Sequence, residues 1–123
     1  MGEKVDYDEN NKIKLTLELG RFLHKQDESD EAVSLLQCAL NDYEETHGAK
    51  HAYTLESVNN LAHLLGEVGR LNEAEPLLKR TLNGFDEIYG PKYLDTLHAV
   101  ESLADLLLNL DKLKEAESYI NVH

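Results

Sequence analysis

The stretch NNLAHLLGEVGRLNEAEPLLKR, residues 59–80, decides the fold. Around its start, Val58, Leu61, Ala62, Leu65 and Val68 recur at three- and four-residue spacing, one face of a helix. Gly69 interrupts that face, and Asn72-x-x-Glu75 has the form of a capping box opening a second helix. Pro76 falls in or near the first turn of that helix, where a missing backbone donor costs least. Ala74, Leu77, Leu78, Thr81, Leu82 and Phe85 supply the second apolar stripe, and Gly90-Pro91 closes the unit with a turn signal. No useful length of the chain alternates with a period of two, so no strands are expected.

Outward from this stretch the pattern recurs at a shift of 42 residues. Thr54-Leu55 falls on Thr96-Leu97, Leu61-Ala62 on Leu103-Ala104, Leu64-Leu65 on Leu106-Leu107, and Glu73-Ala74-Glu75 on Glu115-Ala116-Glu117. In the other direction Leu61 meets Leu19, Leu65 meets Leu23, Leu77-Leu78 meets Leu35-Leu36, and Gly90 meets Gly48. The chain therefore divides into repeats over roughly 7–48, 49–90 and 91–123, the last cut short, behind residues 1–6, which read as a flexible acidic tail. One helical hairpin cannot bury its stripe alone, and stacked neighbours cover it. Gly20, Ala62 and Ala104, with Ala32, Ala74 and Ala116, stand where helices must cross closely. A larger side chain there would cost about 1–3 kcal/mol. The expected fold is all-α, a stack of three hairpins.

Composition narrows the function. The 123 residues make one domain, 41% apolar and 29% charged, which excludes wholesale disorder. Twelve basic residues against 24 acidic ones leave a net charge of −12. A nucleic-acid binder needs a basic surface to release counterions, and an anionic membrane repels the same excess of carboxylates. The single Cys38 allows no internal disulfide and lies among Leu35, Leu36, Ala39 and Leu40, which reads as a buried, inert thiol. Residues from Met1 to Asn11 are polar, without a signal-peptide core, and Asp6 stands where a myristoylation pattern wants Ser or Thr. The longest apolar cluster, Leu103 to Leu110, is broken by Asp105 and Asn109. These features point to a cytoplasmic chain.

Asn59-Asn60-Leu61-Ala62, Gly69-Arg70-Leu71, Glu73-Ala74-Glu75-Pro76-Leu77, Lys79-Arg80 and Tyr89-Gly90-Pro91 together resemble the tetratricopeptide repeat (TPR). The usual unit has about 34 residues; the longer unit here is similar to that of kinesin light chains. Asp27 and Asp111 replace the turn glycine, and Thr16-Leu17-Glu18 stands in place of an Asn-Asn pair in the first repeat. The resemblance implies a right-handed α-α superhelix whose first helices line a concave groove that binds an extended peptide or helix of a partner protein. Opposite the apolar stripes lie Lys14, Glu18, Arg21 and Lys25, then Glu56, Asn60, His63 and Glu67, then His98, Ser102, Asp105 and Asn109. The family geometry assigns these twelve to the groove, with formal charges of +2, −2 and −1 along the stack. An acidic group of a partner would accordingly lie near Lys14, Arg21 and Lys25. Co-chaperone members hold a terminal carboxylate with Lys, Asn and Arg; the matching places here hold Leu17, Arg21, Asn60, His98 and Ser102, of which only Asn60 fits.

Metal and catalytic readings find little support. His47 and His51 flank Gly48 in an expected loop, with no Cys pair and no His-Glu-x-x-His run, and His63 and His98 would need a further ligand. Gly66-Glu67-Val68-Gly69 ends a helix and has no flanking strands. No nucleophile, base and orienting group can be assembled. No enzyme activity, cofactor or metal is expected. Leu106, Leu107, Leu108, Leu110, Leu113 and Ile120 read as partly short of cover, from a fragment of a longer array or from self-association through an uncapped end. The expected function is a non-catalytic protein-interaction module similar to the cargo-binding region of kinesin light chains. The alternative is a regulatory or oligomerising TPR segment of a larger signalling protein with a nucleotide switch.

Overall fold

The computed structural model describes residues 14–16, 18–23, 25 and 28–122. The proposed tail over 1–6, Leu17 and the turn position Asp27 lie outside the described residues. Residues 14–16, 18–23 and 25 are helical and are referred to as α1. Five further helices follow: α2 (Ser29–His47), α3 (Ala52–Glu67), α4 (Leu71–Tyr89), α5 (Leu94–Asn109) and α6 (Leu113–Val122). Among the described residues there is no strand. The fold is an α-α superhelix of three hairpins, and matching helices keep one length. Both α2 and α4 have 19 residues and both α3 and α5 have 16, each pair offset by 42. The third hairpin is shorter, with 10 residues in α6.

Each helix packs on the next in order, α2 on α3, α3 on α4, α4 on α5 and α5 on α6. The expected stripes form the core: Val58, Leu61, Ala62 and Leu65 from α3, Ala74, Leu78, Leu82 and Phe85 from α4, and Leu103, Ala104 and Leu107 from α5. The small positions sit at close approaches. A Cβ on Gly20 would lie 3.0 Å from Leu36 Cδ2 and 3.5 Å from the Ala32 carbonyl oxygen. Gly84 permits a similar contact of α4 with Leu55, whose Cγ would lie 3.0 Å from an added Cβ.

The turn inside each of the second and third hairpins uses a left-handed residue. Gly69 has φ 84°, and the backbone N–H of Arg70 reaches the Leu65 carbonyl at 2.8 Å. In the next repeat Asp111 takes this place with φ 62°, and Lys112 reaches the Leu107 carbonyl at 2.8 Å. Asp tolerates this region better than most side-chain-bearing residues, so the turn survives the replacement of glycine.

Three expectations require correction. Helix α4 starts at Leu71 with Arg70 at its N-cap and no side-chain cap, so Asn72 and Glu75 form no capping box and Pro76 lies inside the helix, two residues deeper than a cap at Asn72 would place it. The compact Gly69 turn lets the helix resume at once, and Arg70 holds Glu73 through paired contacts of 2.6 and 2.8 Å. Cys38 is exposed. Its apolar neighbours Leu36, Ala39 and Leu40 turn inward, while the helical step carries the thiol outward. Leu106 and Leu107 are buried; exposure is confined to Leu108, Leu113 and Ile120 in that group, with Leu110 half-buried.

Candidate groove

The exposed faces of α1, α3 and α5 bound a row of hollows. The first, of about 320 Å³, is lined by Arg21 and Lys25 from α1, Leu36 from α2, and Asn60, His63, Leu64 and Glu67 from α3, with Gly20 at its base. The Arg21 guanidinium donates to Asn60 Oδ1 at 3.3 Å, tying the first hairpin to the second. The second hollow, of about 260 Å³, is the same one carried forward by one repeat. His63 and Glu67 now stand where Arg21 and Lys25 stood, Ser102, Asp105 and Asn109 replace Asn60, His63 and Glu67, and Leu78 with Leu106 forms the apolar floor.

A third hollow, of about 250 Å³, lies towards the N-terminal ends of α3 and α5. It gathers Arg21, Glu56, Asn60 and His98 with three residues that the sequence pattern missed: Asn59, Asp95 and Phe85. Asp95 lies one helical step before His98 in the first turn of α5, so extending the polar row backwards would have found it. Asn59 hides beside Asn60; its Oδ1 is buried and has no hydrogen-bond partner in the structure. Loss of solvation, then the charge of Asp95, raise the Glu56 carboxyl from its ordinary value, while His51 pulls it the other way.

Ten of the twelve expected groove residues thus line three neighbouring hollows. Lys14 and Glu18 are exposed on α1 and line none of the three. The histidines are dispersed. His63 serves the first two hollows and His98 the third, while His47 and His51 stack with ring centroids 4.6 Å apart at the joint between hairpins. The His51 ring also caps α3, its Nδ1 accepting from the Tyr53 N–H at 3.0 Å. Among the described residues no group of three or more His, Cys, Asp or Glu is placed to hold a metal ion. The hollows are open depressions, and the first two combine hydrogen-bonding walls with leucines, whereas the third is polar around Phe85. That combination suits the successive side chains of a polypeptide.

The comparisons agree with this architecture. The family model described as tetratricopeptide repeat matches residues 13–87 and 54–122. The chain belongs to the tetratricopeptide repeat family, a class of protein-interaction scaffolds, and its fold is of the kinesin light chain type. Two crystal structures of nearly identical TPR-like repeats of kinesin light chain type from Podosopora anserina, one of them a point variant, superpose with TM-scores of 0.80 and 0.78 at 22% identity. In both cases 89% of this chain is covered and 52% of the other. BtubC (BKLC) from P. vanneervenii superposes with a TM-score of 0.77 at 17% identity, over 87% of this chain and 42% of its own. The chain therefore spans about half the length of the structures it matches. A search among curated proteins gave no match. No helix among the described residues is long and apolar enough to cross a membrane.

Proposed function

We propose that this chain is a non-catalytic interaction module of the cytoplasm that holds an extended peptide or helix of a partner protein along the groove formed by α1, α3 and α5. The observation that carries the reading is the repetition of one hollow at a constant offset, with leucine floors beneath polar walls. A partner places an acidic group beside Arg21 and Lys25, with Lys14 nearby on the same helix. Asn60 and Ser102 serve its backbone, and His63, Glu67, Asp105 and Asn109 line the path onward. Glu18 flanks the basic end, while Glu56 and His98 border the third hollow. The excess of carboxylates over the rest of the molecule disfavours nucleic acid and anionic lipid as partners.

The test is peptide binding followed by fluorescence anisotropy, using a library of acidic peptides and their charge-neutralised counterparts. Reversing Arg21→Glu together with Lys25→Glu is expected to weaken the selected acidic peptide by at least about tenfold, which corresponds to about 1.4 kcal/mol. Binding unchanged by the double reversal would overturn the placement of the acidic group. Failure of every peptide to bind would overturn the groove reading itself.

A further inference from the structure

The joint between one hairpin and the next is built twice, and the two copies differ in their chemistry. At the α2–α3 joint Tyr43, His47 and His51 form a ladder of rings, the first pair tilted with centroids 6.0 Å apart and the second stacked at 4.6 Å. A shift of 42 residues turns these into Phe85, Tyr89 and Tyr93 at the α4–α5 joint. Their separations are 5.8 and 4.4 Å, again tilted and then stacked. The backbone repeats as well: Gly48 and Gly90 have φ of 92° and 90°, and His51 and Tyr93 both precede the next helix in an extended conformation. One geometry is thus filled by two imidazoles in one place and by two phenols in the other. The imidazoles change charge near neutral pH, and the phenols do not.

His51 has a second duty that Tyr93 lacks. Its Nδ1 accepts from the Tyr53 N–H at 3.0 Å and caps α3, whereas α5 has no side-chain cap. An acceptor at Nδ1 places the proton of the neutral ring on Nε2, so a further proton goes to Nδ1, abolishes the cap and faces an N–H donor. It also sets positive charge against the N-terminus of α3, the unfavourable end. His47 is placed the other way, in the last turn of α2, where carbonyl groups favour a cation. The pair therefore has room for one proton, on His47; a second puts like charges on rings 4.6 Å apart. Several other groups face the pair. Tyr53 lies edge-on to both rings, 5.4 Å from His47 and 4.9 Å from His51, and Glu56 on α3 is the carboxylate in electrostatic reach of His51. Lys50 of the intervening loop lies 3.7 Å from Glu87 of α4. Arg80 of α4 reaches the Ala49 carbonyl at 3.2 Å and Glu44 of α2 at 3.3 Å. Glu56 opposes the effect of the second proton, and the cations Lys50 and Arg80 add to it.

We propose that the α2–α3 joint is an acid-sensitive hinge. Protonation of both His47 and His51 unstacks the rings, uncaps α3 and loosens the first hairpin from the second, while the α4–α5 joint stays closed. Protons bind the open joint better than the closed one, so acid opens it. The first hollow of the groove spans this seam, and the Arg21–Asn60 contact of 3.3 Å ties the same two hairpins. Opening therefore alters the first hollow and leaves the second, which lies between the second and third hairpins, as it was. The hinge goes beyond the reading of the groove as a peptide site, and no peptide is present in its test.

The two joints supply their own control. The Leu55 N–H bonds to the His51 carbonyl and the Leu97 N–H to the Tyr93 carbonyl, each at 3.0 Å. Amide exchange of the 123-residue chain, read by NMR and corrected for the intrinsic effect of pH, compares them. Between about pH 7.5 and about pH 5.5, opening at Leu55 is expected to rise at least about fivefold relative to Leu97, the scale of a lost helix cap. Two variants are expected to abolish the rise. His51→Asn keeps an acceptor at the N-cap without a titrating ring, and His47→Tyr with His51→Tyr copies the second joint. No rise at Leu55 in the parent, an equal rise at both joints, or a rise that persists in either variant overturns the proposal. Circular dichroism checks that each variant folds, and the comparison of Leu55 with Leu97 in the parent requires neither.

Discussion

Two threonines in one register position have different surroundings. Thr54 donates to the Gly48 carbonyl at 2.7 Å, with the Tyr43 carbonyl 3.3 Å away, and so fastens the start of α3 to the end of α2. Thr96, one repeat later and fully buried, has no hydrogen-bond partner for its hydroxyl. A buried hydroxyl that bonds a carbonyl contributes net stability, whereas an unpaired one costs free energy. Thr54→Val is therefore expected to destabilise the fold by about 1–2 kcal/mol, and Thr96→Val to be neutral or stabilising by about 0.5–1 kcal/mol. Urea unfolding of both variants measures the difference, and the opposite order would contradict this account. No spacing rule separates these residues, because both sit in the same motif. The same holds for Asp111, whose turn was legible from its offset to Gly69 although its identity did not require a left-handed backbone. Cys38 departs from its expected burial for the converse reason, since adjacency in sequence does not place a residue on the same helical face.

Helices were legible wherever an apolar stripe ran for several turns, and less so at their ends. The start of α4 shows why: Asn72 and Glu75 have the spacing of a cap, but the carboxylate of Glu75 is engaged elsewhere. It receives Lys112 at 2.8 Å and Lys79 at 3.0 Å, while Lys79 also reaches Glu115 at 2.7 Å. These contacts join α4 to α6 and to the turn before it. Hydrogen bonds from Lys112, then from Lys79, hold the Glu75 carboxyl below its ordinary value of 4.5. A carboxyl whose pKa is lowered by folding contributes stability above its unfolded value, and that contribution fades as the pH falls through the folded value. Glu75→Gln is accordingly expected to cost about 0.5–1 kcal/mol at neutral pH, with the difference from the parent shrinking as the pH drops below about 4.5. Chemical denaturation at a series of pH values checks it. A difference that grows on acidification would show that the network is not the cause.

Across the whole molecule the fold was legible because a constant offset is a global property that many residues report together. The candidate groove was legible in its polar rows, since α1, α3 and α5 repeat the same face, and less so in its floors. Leu36, Leu64, Leu78 and Leu106 look like ordinary core residues until the seams bring them beneath the polar walls. Asp95 and Phe85 come from places outside those rows. Stability in such a stack is close to a sum over hairpins and the seams between them. Amide hydrogen exchange is therefore expected to be slowest in α3 and α4, whose hairpin has another hairpin on either side, and fastest in α1 and α6. Uniform protection along the chain would show a single cooperative unit instead.

The equal lengths of matching helices, 19 with 19 and 16 with 16, also bear on how such a chain can grow. A duplication of residues 49–90 inserted after Gly90 preserves the phase of every element downstream, while an insertion of a few residues within a helix does not. Lengthening by whole modules introduces no new kind of junction. The enlarged protein is expected to melt at a higher temperature than its parent, because each added module raises the ratio of interior to terminus.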